Sequence, residues 1–120
     1  MDISKTIAEL KKEPGFTENV GMILTHNGVV RGWSRADHKD VESVTISTDM
    51  DKIQQICHEI ESRPGIFRAI AEAKSGTLKP GDDVLFLIVA GDIRENVKPA
   101  LADFLDRVKS EAINKIEHKE

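Results

Sequence analysis

The residues of this sequence best placed to do chemistry are cations that stand where patterned segments begin or end. Arg31 and Arg35 follow an apolar run and flank Gly32-Trp33-Ser34. Lys74 and Lys79 bracket Ser75-Gly76-Thr77, Arg94 follows a Gly91-Asp92 break, and Lys109 and Lys115 come at and beyond the end of the last apolar stripe. Glycines beside cations let backbone N–H groups and guanidinium forks converge on an anion, which makes phosphate or carboxylate binding the chemistry these positions support. The competing reading is ordinary solvated charge, and a lysine at a helix C-terminus also follows from the helix dipole.

Other chemistry is poorly represented. The four histidines, His26, His38, His58 and His118, are scattered with no ligand-like spacing, so surface or turn histidines are expected and no metal site is. The single cysteine, Cys57, sits beside an apolar stripe and reads as a small buried thiol. The single tryptophan, Trp33, reads as an edge-packing or interface residue before it reads as a ring-stacking one. Phosphate loops, dinucleotide fingerprints, nucleophile elbows and HExxH are missing, and no cofactor is expected.

The elements that must position these cations follow from periodicity. Ile3, Ile7 and Leu10 predict a short amphipathic helix ended by Pro14-Gly15. Val20 to Arg31 predicts a strand, with Asn27-Gly28 leaving open a hairpin turn or a bulge. Residues 36–40 predict an exposed loop and 41–48 a strand. Met50, Ile53, Ile56 and Ile60 mark a helix face, capped by Thr48 or Asp49 and stopped by Arg63-Pro64-Gly65. Ile66 to Ala73 predicts a strand, Pro80-Gly81 a tight turn, and Val84 to Ala90 a central strand covered on both faces. Val97, Leu101, Phe104, Leu105 and Val108 form the clearest helical stripe. Pro99 is expected in its first turn, which puts the helix start near Asn96 or Val97, with Asn96 as cap. The tail 113–120 reads as a short strand or a frayed end. Strands joined by tight turns and interspersed with about three helices predict an α+β class.

Bulk properties set limits. The chain has 120 residues, 39% hydrophobic and 32% charged, which fits a single folded domain spanning 1–120. A formal net charge of -4 disfavours nucleic acid and anionic membranes, so positive charge for an anion must be gathered locally. No run approaches the roughly 18 apolar residues of a membrane span. With a lone cysteine and no signal-like N-terminus, a reducing cytoplasm is the expected location.

Three ordered stretches resemble the large, catalytic subunit of molybdopterin synthase: GMILTHNGVVRG (21–32), SGTLKPGDDVLFLIVAG (75–91), and the helix from Arg94 to a terminal Lys109. The resemblance runs from Gly21 to about Lys115. It implies an α/β hammerhead fold with a largely antiparallel sheet, a homodimer, and a small sulfur-carrier subunit docked at each end. The carrier's C-terminal Gly-Gly thiocarboxylate would enter a pocket of the large subunit and deliver sulfur to cyclic pyranopterin monophosphate, giving the dithiolene of molybdopterin. Carried over residue by residue, the resemblance implies Lys109 and Lys115 as catalytic lysines, and Arg31 and Arg94 as substrate-binding arginines. Ile93 and Ala73 stand where the family pattern has histidines, and the family's C-terminal Pro-x-Trp-Lys is replaced by AINKIEHKE. Those departures support a second reading, an inactive paralogue serving as a dimeric binding module for a carrier or an anionic ligand.

Overall fold

The structure is a computed structural model that describes residues 1–119. The fold is organised around β5 (Asp83–Gly91), whose alternation feeds two cores at once. Leu85, Leu87 and Val89 point to one face, and Ile88 and Ala90 to the other, all fully or almost fully buried. β1 (Met22–Val29) and β3 (Ile66–Ala73) pair antiparallel on either side, giving the order β1-β5-β3. A second antiparallel sheet has the order β4-β2-β6, from Gly76–Leu78, Val41–Thr48 and Ile113–Lys119. The class is α+β; the β structure forms two sheets, and every ladder between these strands is antiparallel.

Helices cover both faces of the first sheet. α3 (Met50–Glu61) and α4 (Arg94–Arg107) bury Ile53, Ile56, Ile60, Val97 and Phe104 against Leu85, Leu87 and Val89. α1 (Ile3–Leu10) and the single turn α2 (Phe16–Asn19) bring Leu10, Phe16 and Val20 against Ile88, Ala90 and Ile70. Asp2 caps α1 by accepting from Lys5 N–H at 3.1 Å, and Asp49 caps α3 by accepting from Lys52 N–H at 3.0 Å. A third cluster, Val30, Val41, Val44 and Ile46, joins Val84 and Ile113 where the two sheets meet.

Several expectations are corrected. α4 begins at Arg94, two residues before the predicted cap. Asp92 serves this terminus instead, its Oδ1 accepting from Ile93 N–H (2.6 Å) and from the Asn96 side chain (2.9 Å). Pro99 therefore falls in the second turn; it and Glu95, whose carbonyl loses a donor, lie on the exposed face, where water can substitute. The Asn27-Gly28 step makes no hairpin: β1 runs straight through it with a register shift between Gly28 and Val29. The Pro80-Gly81 turn forms as read, closed by Asp82 N–H to the Lys79 carbonyl (3.0 Å), with Gly81 at φ 94°. After α4 the chain passes through a π turn, Val108–Ala112, directly into β6, a full strand paired with β2.

Candidate functional site

The cationic residues gather where the two sheets and the π turn meet. A cleft of about 480 Å³ opens there, walled by β1, β2, β6 and the start of β5. Its floor is apolar, from Val44, Ile46, Val84, Leu85 and Ile113, and its rim carries Arg31, Arg35, Lys109 and Lys115. Arg31, Lys109 and Lys115 come from three elements that only the fold brings together. Arg94 does not join them within the chain. β5 carries the chain away from the cleft, so Arg94 lies at the far end of α4, 77% exposed and paired with Glu95 at 3.4 Å.

The arginine-bearing loop and Lys109 each have a visible positioning device. Past the bulge, Val30 bonds the 79–82 turn in both directions, N–H to the Asp82 carbonyl and carbonyl from Gly81 N–H, each at 2.9 Å. That fixes the backbone entering Arg31, whose guanidinium lies 4.9 Å from the Trp33 ring centroid. Trp33 in turn stacks on His38 at 5.4 Å between ring centroids, and its backbone bridges to Asp40. The tryptophan is thus the brace of an arginine-bearing loop. Ser34, fully buried, pins the same loop to β6 through a 2.9 Å bond from its Oγ to Glu117.

Lys109 occupies the π turn, a distortion that often accompanies functional sites. Arg107 and Glu111 on either side of it are paired with each other (2.8 Å), and they reach Glu59 (2.6 Å) and Lys52 (3.3 Å) on α3. That network ties the turn to α3. Lys109 is exposed as a residue, yet its pKa is lowered, first by partial desolvation at the cleft wall and then by Lys115, Arg31 and Arg35. An anion among these cations would relieve their repulsion.

His26, read from sequence as a surface or turn histidine, also lines the cleft. Its Nε2 is buried with no hydrogen-bond partner among the described residues, and burial followed by the Lys109 charge lowers its pKa. Cys57 is buried, its thiol pushed up to about 11 chiefly by burial, which leaves it unreactive. A larger hollow, about 630 Å³, lies at the opposite end of β5. It is lined by Glu18, Asp92 and backbone around Gly21 and Gly65 and has no cation, so the smaller cleft is the better anion site. Among the described residues, no group of three or more His, Cys, Asp or Glu could hold a metal, and no helix is long and apolar enough to cross a membrane.

Two antiparallel sheets with helices on both faces of one, and a cationic cleft at their junction, define a small α+β domain built around an anion-sized site. The MoaE protein family matches residues 1–111, and the chain belongs to that family. A probable molybdopterin synthase of Haloferax volcanii is 26% identical over 115 residues, 89% of this chain; the chain spans 42% of that protein's length. In fold, the chain is similar to molybdopterin synthase from Staphylococcus aureus (TM-score 0.72, 23% identity, 84% of this chain and 76% of that one). It is also similar to a chain in the complex of subunits 1 and 2 of molybdopterin-converting factor from Helicobacter pylori (TM-score 0.72, 15% identity, 100% and 80%).

Proposed function

We propose that the protein is the large subunit of a molybdopterin synthase, transferring sulfur from a carrier's C-terminal thiocarboxylate to cyclic pyranopterin monophosphate. The observation that carries this reading is the convergence of Arg31, Lys109 and Lys115 on one cleft with an apolar floor. The reaction brings together two anions, a carboxylate-like tail and a cyclic phosphate, and a cleft lined with guanidinium and ammonium groups offsets their repulsion. Arg31, braced by Trp33, suits planar, bidentate recognition of phosphate or thiocarboxylate. Lys109, its pKa lowered by desolvation and by neighbouring cations, is suited to give and take a proton as sulfur adds to the pterin side chain. Lys115, across the cleft on β6, adds charge to stabilise the oxyanion that forms.

The carrier is a small protein ending in Gly-Gly, and the working assembly is a homodimer of this chain with a carrier at each end. Two related subunits form a complex in the Helicobacter pylori protein, which supports a two-subunit arrangement here. Arg94 is proposed to act outside the cleft of its own chain, or not at all in substrate binding. Reconstitution with a thiocarboxylated carrier and the cyclic pterin, followed by detection of the dithiolene product, tests the reading. Tight carrier binding without product would favour the binding-module alternative.

A further inference from the structure

Of the cations on the cleft rim, Arg31, Lys109 and Lys115 each have a part in the sulfur-transfer reading, and Arg35 has none. Arg35 is exposed, yet its mount is firm. Ser34, the residue before it, is fully buried; its Oγ donates to Glu117 at 2.9 Å, its N–H donates to the Lys39 carbonyl and its carbonyl accepts from His38 N–H, the last two at 2.8 Å. Asp37 adds a second tie to β6: Oδ2 accepts from Lys119 Nζ at 2.6 Å, while Oδ1 accepts from Lys39 N–H at 3.0 Å. The 34–39 loop is thus closed on itself and fastened at both Ser34 and Asp37 to β6, which fixes the backbone from which Arg35 projects.

The same contacts leave the Arg35 charge uncompensated. Asp37 is taken by Lys119, and Glu117, the carboxylate on the cleft lining, faces Ser34 and stands 4.0 Å from Lys115 Nζ. Among the described residues, Arg35 forms no ion pair. Arg31, half-buried and backed by Trp33, belongs to the interior of the cleft, whereas the exposed Arg35 stands at its mouth. A guanidinium has several N–H donors in a fixed fork, no acceptor, and a charge it does not lose. Arg35 therefore offers carbonyl and oxyanion recognition and no proton chemistry.

Resting on the sulfur-transfer reading, we propose that Arg35 is a binding residue for the carrier's tail, its fork taking main-chain carbonyls of the glycine segment as that segment passes the mouth toward Lys109. A cleft of about 480 Å³ admits the tail of a protein but not its body, so the tail must cross the mouth, whereas a small pterin is held within. A Gly-Gly end has no side chain to grip; its handles are carbonyls, amides and the terminal anion. Glycine also loses more conformational freedom on ordering than any other residue, so a donor already held in place by a closed loop lowers the cost of threading the tail. The reach is suitable: the Arg35 charge is felt at Lys109, and a few extended residues, at about 3.4 Å each, span such a separation.

The test is calorimetric titration with the small carrier from the same genome, bearing its ordinary terminal carboxylate, and with the same carrier lacking its final Gly-Gly. Arg35→Ala is expected to bind the full-length carrier about tenfold more weakly than the wild type, the scale of one charge-assisted contact, and to bind the shortened carrier as the wild type does. Lys39→Ala removes an exposed charge from the same loop but outside the cleft lining, and is expected to leave both affinities unchanged. Equal affinity of Arg35→Ala and wild type for the full-length carrier overturns the proposal, even where the variant's KM for the cyclic pterin rises, since that result assigns Arg35 to the phosphate. An equal loss with both carriers overturns it by placing Arg35 against the carrier's body, and an equal loss in Lys39→Ala overturns it by making the effect one of loop charge at large. A wild-type protein that binds no carrier, or binds it as well without the glycines, overturns the entry of the tail on which the sulfur-transfer reading depends, and this proposal with it.

Discussion

Ser34 Oγ and Glu117 Oε1, separated by 83 positions in the chain, meet in a 2.9 Å hydrogen bond. It joins the loop that carries Arg31 and Arg35 to the strand that carries Lys115, and so sets two walls of the cleft against each other. Ser34 is fully buried, and its backbone is also used: its N–H donates to the Lys39 carbonyl and its carbonyl accepts from His38 N–H, both at 2.8 Å. Ser34→Ala removes the side-chain link alone. It is expected to cost about 1–3 kcal/mol, the scale of stripping one partner from a buried polar contact, read as a lower urea midpoint with unchanged slope. An unaltered midpoint would show that the loop is held by its backbone bonds and the Trp33–His38 stack.

Phe104 is completely buried at the middle of the α4 stripe, whereas Leu101 and Leu105 on the same helix are only half-buried. Phe104→Ala is expected to lose about 3–5 kcal/mol through lost transfer energy and a residual cavity. Leu105→Ala should lose distinctly less. Paired thermal melts check the order, and equal losses would mean that the core is not centred on Phe104.

Arg31 and Arg94 were both assigned to substrate binding by resemblance, yet they lie at opposite ends of β5. Sulfate titrations at low ionic strength separate them. Arg31→Ala should weaken sulfate binding by about tenfold, equivalent to ~1.4 kcal/mol for a charge-assisted contact, and Arg94→Ala should leave it unchanged. Lys109→Ala should abolish dithiolene formation with little change in melting temperature, because the residue is exposed in the π turn. Full activity in Lys109→Ala would remove the chemical role proposed for that lysine.

The pH dependence of stability has a definite sign. His26 is harder to protonate in the folded protein than in the unfolded chain, mainly because it is buried. Below pH 6.5 the unfolded state therefore takes up more protons, and stability falls with falling pH until the folded-state value is passed. Lys109, also lowered, acts in the same direction at the alkaline end: as pH falls from 10.5 toward its folded-state value, the unfolded chain gains protons first and stability declines. Chemical denaturation between pH 5 and 7 should show the acid slope in the wild type and a shallower one in His26→Gln. Sulfate should flatten it by stabilising the imidazolium.

Much of the fold was legible because burial repeats with a period. The strand at 84–90 and the stripes on α3 and α4 announce themselves by apolar spacing, and Asp49 by its place before a helix. What escaped had no such signal. β4 is three residues long and takes its strand character from β2 rather than from its own composition. The start of α4 was misplaced because Asp92, outside the helix, serves the terminus through its side chain, and because a proline on a wet face is cheaper than one in a core. In the site, the cations at strand and helix ends could be named from sequence, but not which of them share a cleft. Arg94 and Lys109 look equivalent as charges after apolar segments, and only the direction of α4 separates them. The histidine was hidden by its own ordinariness: nothing in the string tells a solvated turn imidazole from one whose nitrogen is sealed in a wall.

The π turn at Val108–Ala112 makes this protein intolerant of a kind of change that surface segments usually absorb. A helix that runs through a wide turn straight into a strand has no slack. Removing one residue there would let the turn relax to α geometry, but it would rotate Lys109 around the helix axis by about 100°. The same deletion would either pull β6 one step along β2 or force a bulge, and a one-step slip turns every β6 side chain to the opposite face, Lys115 and Glu117 included. A change in chain length at this point would thus dismantle the cleft while leaving each of its residues in the sequence.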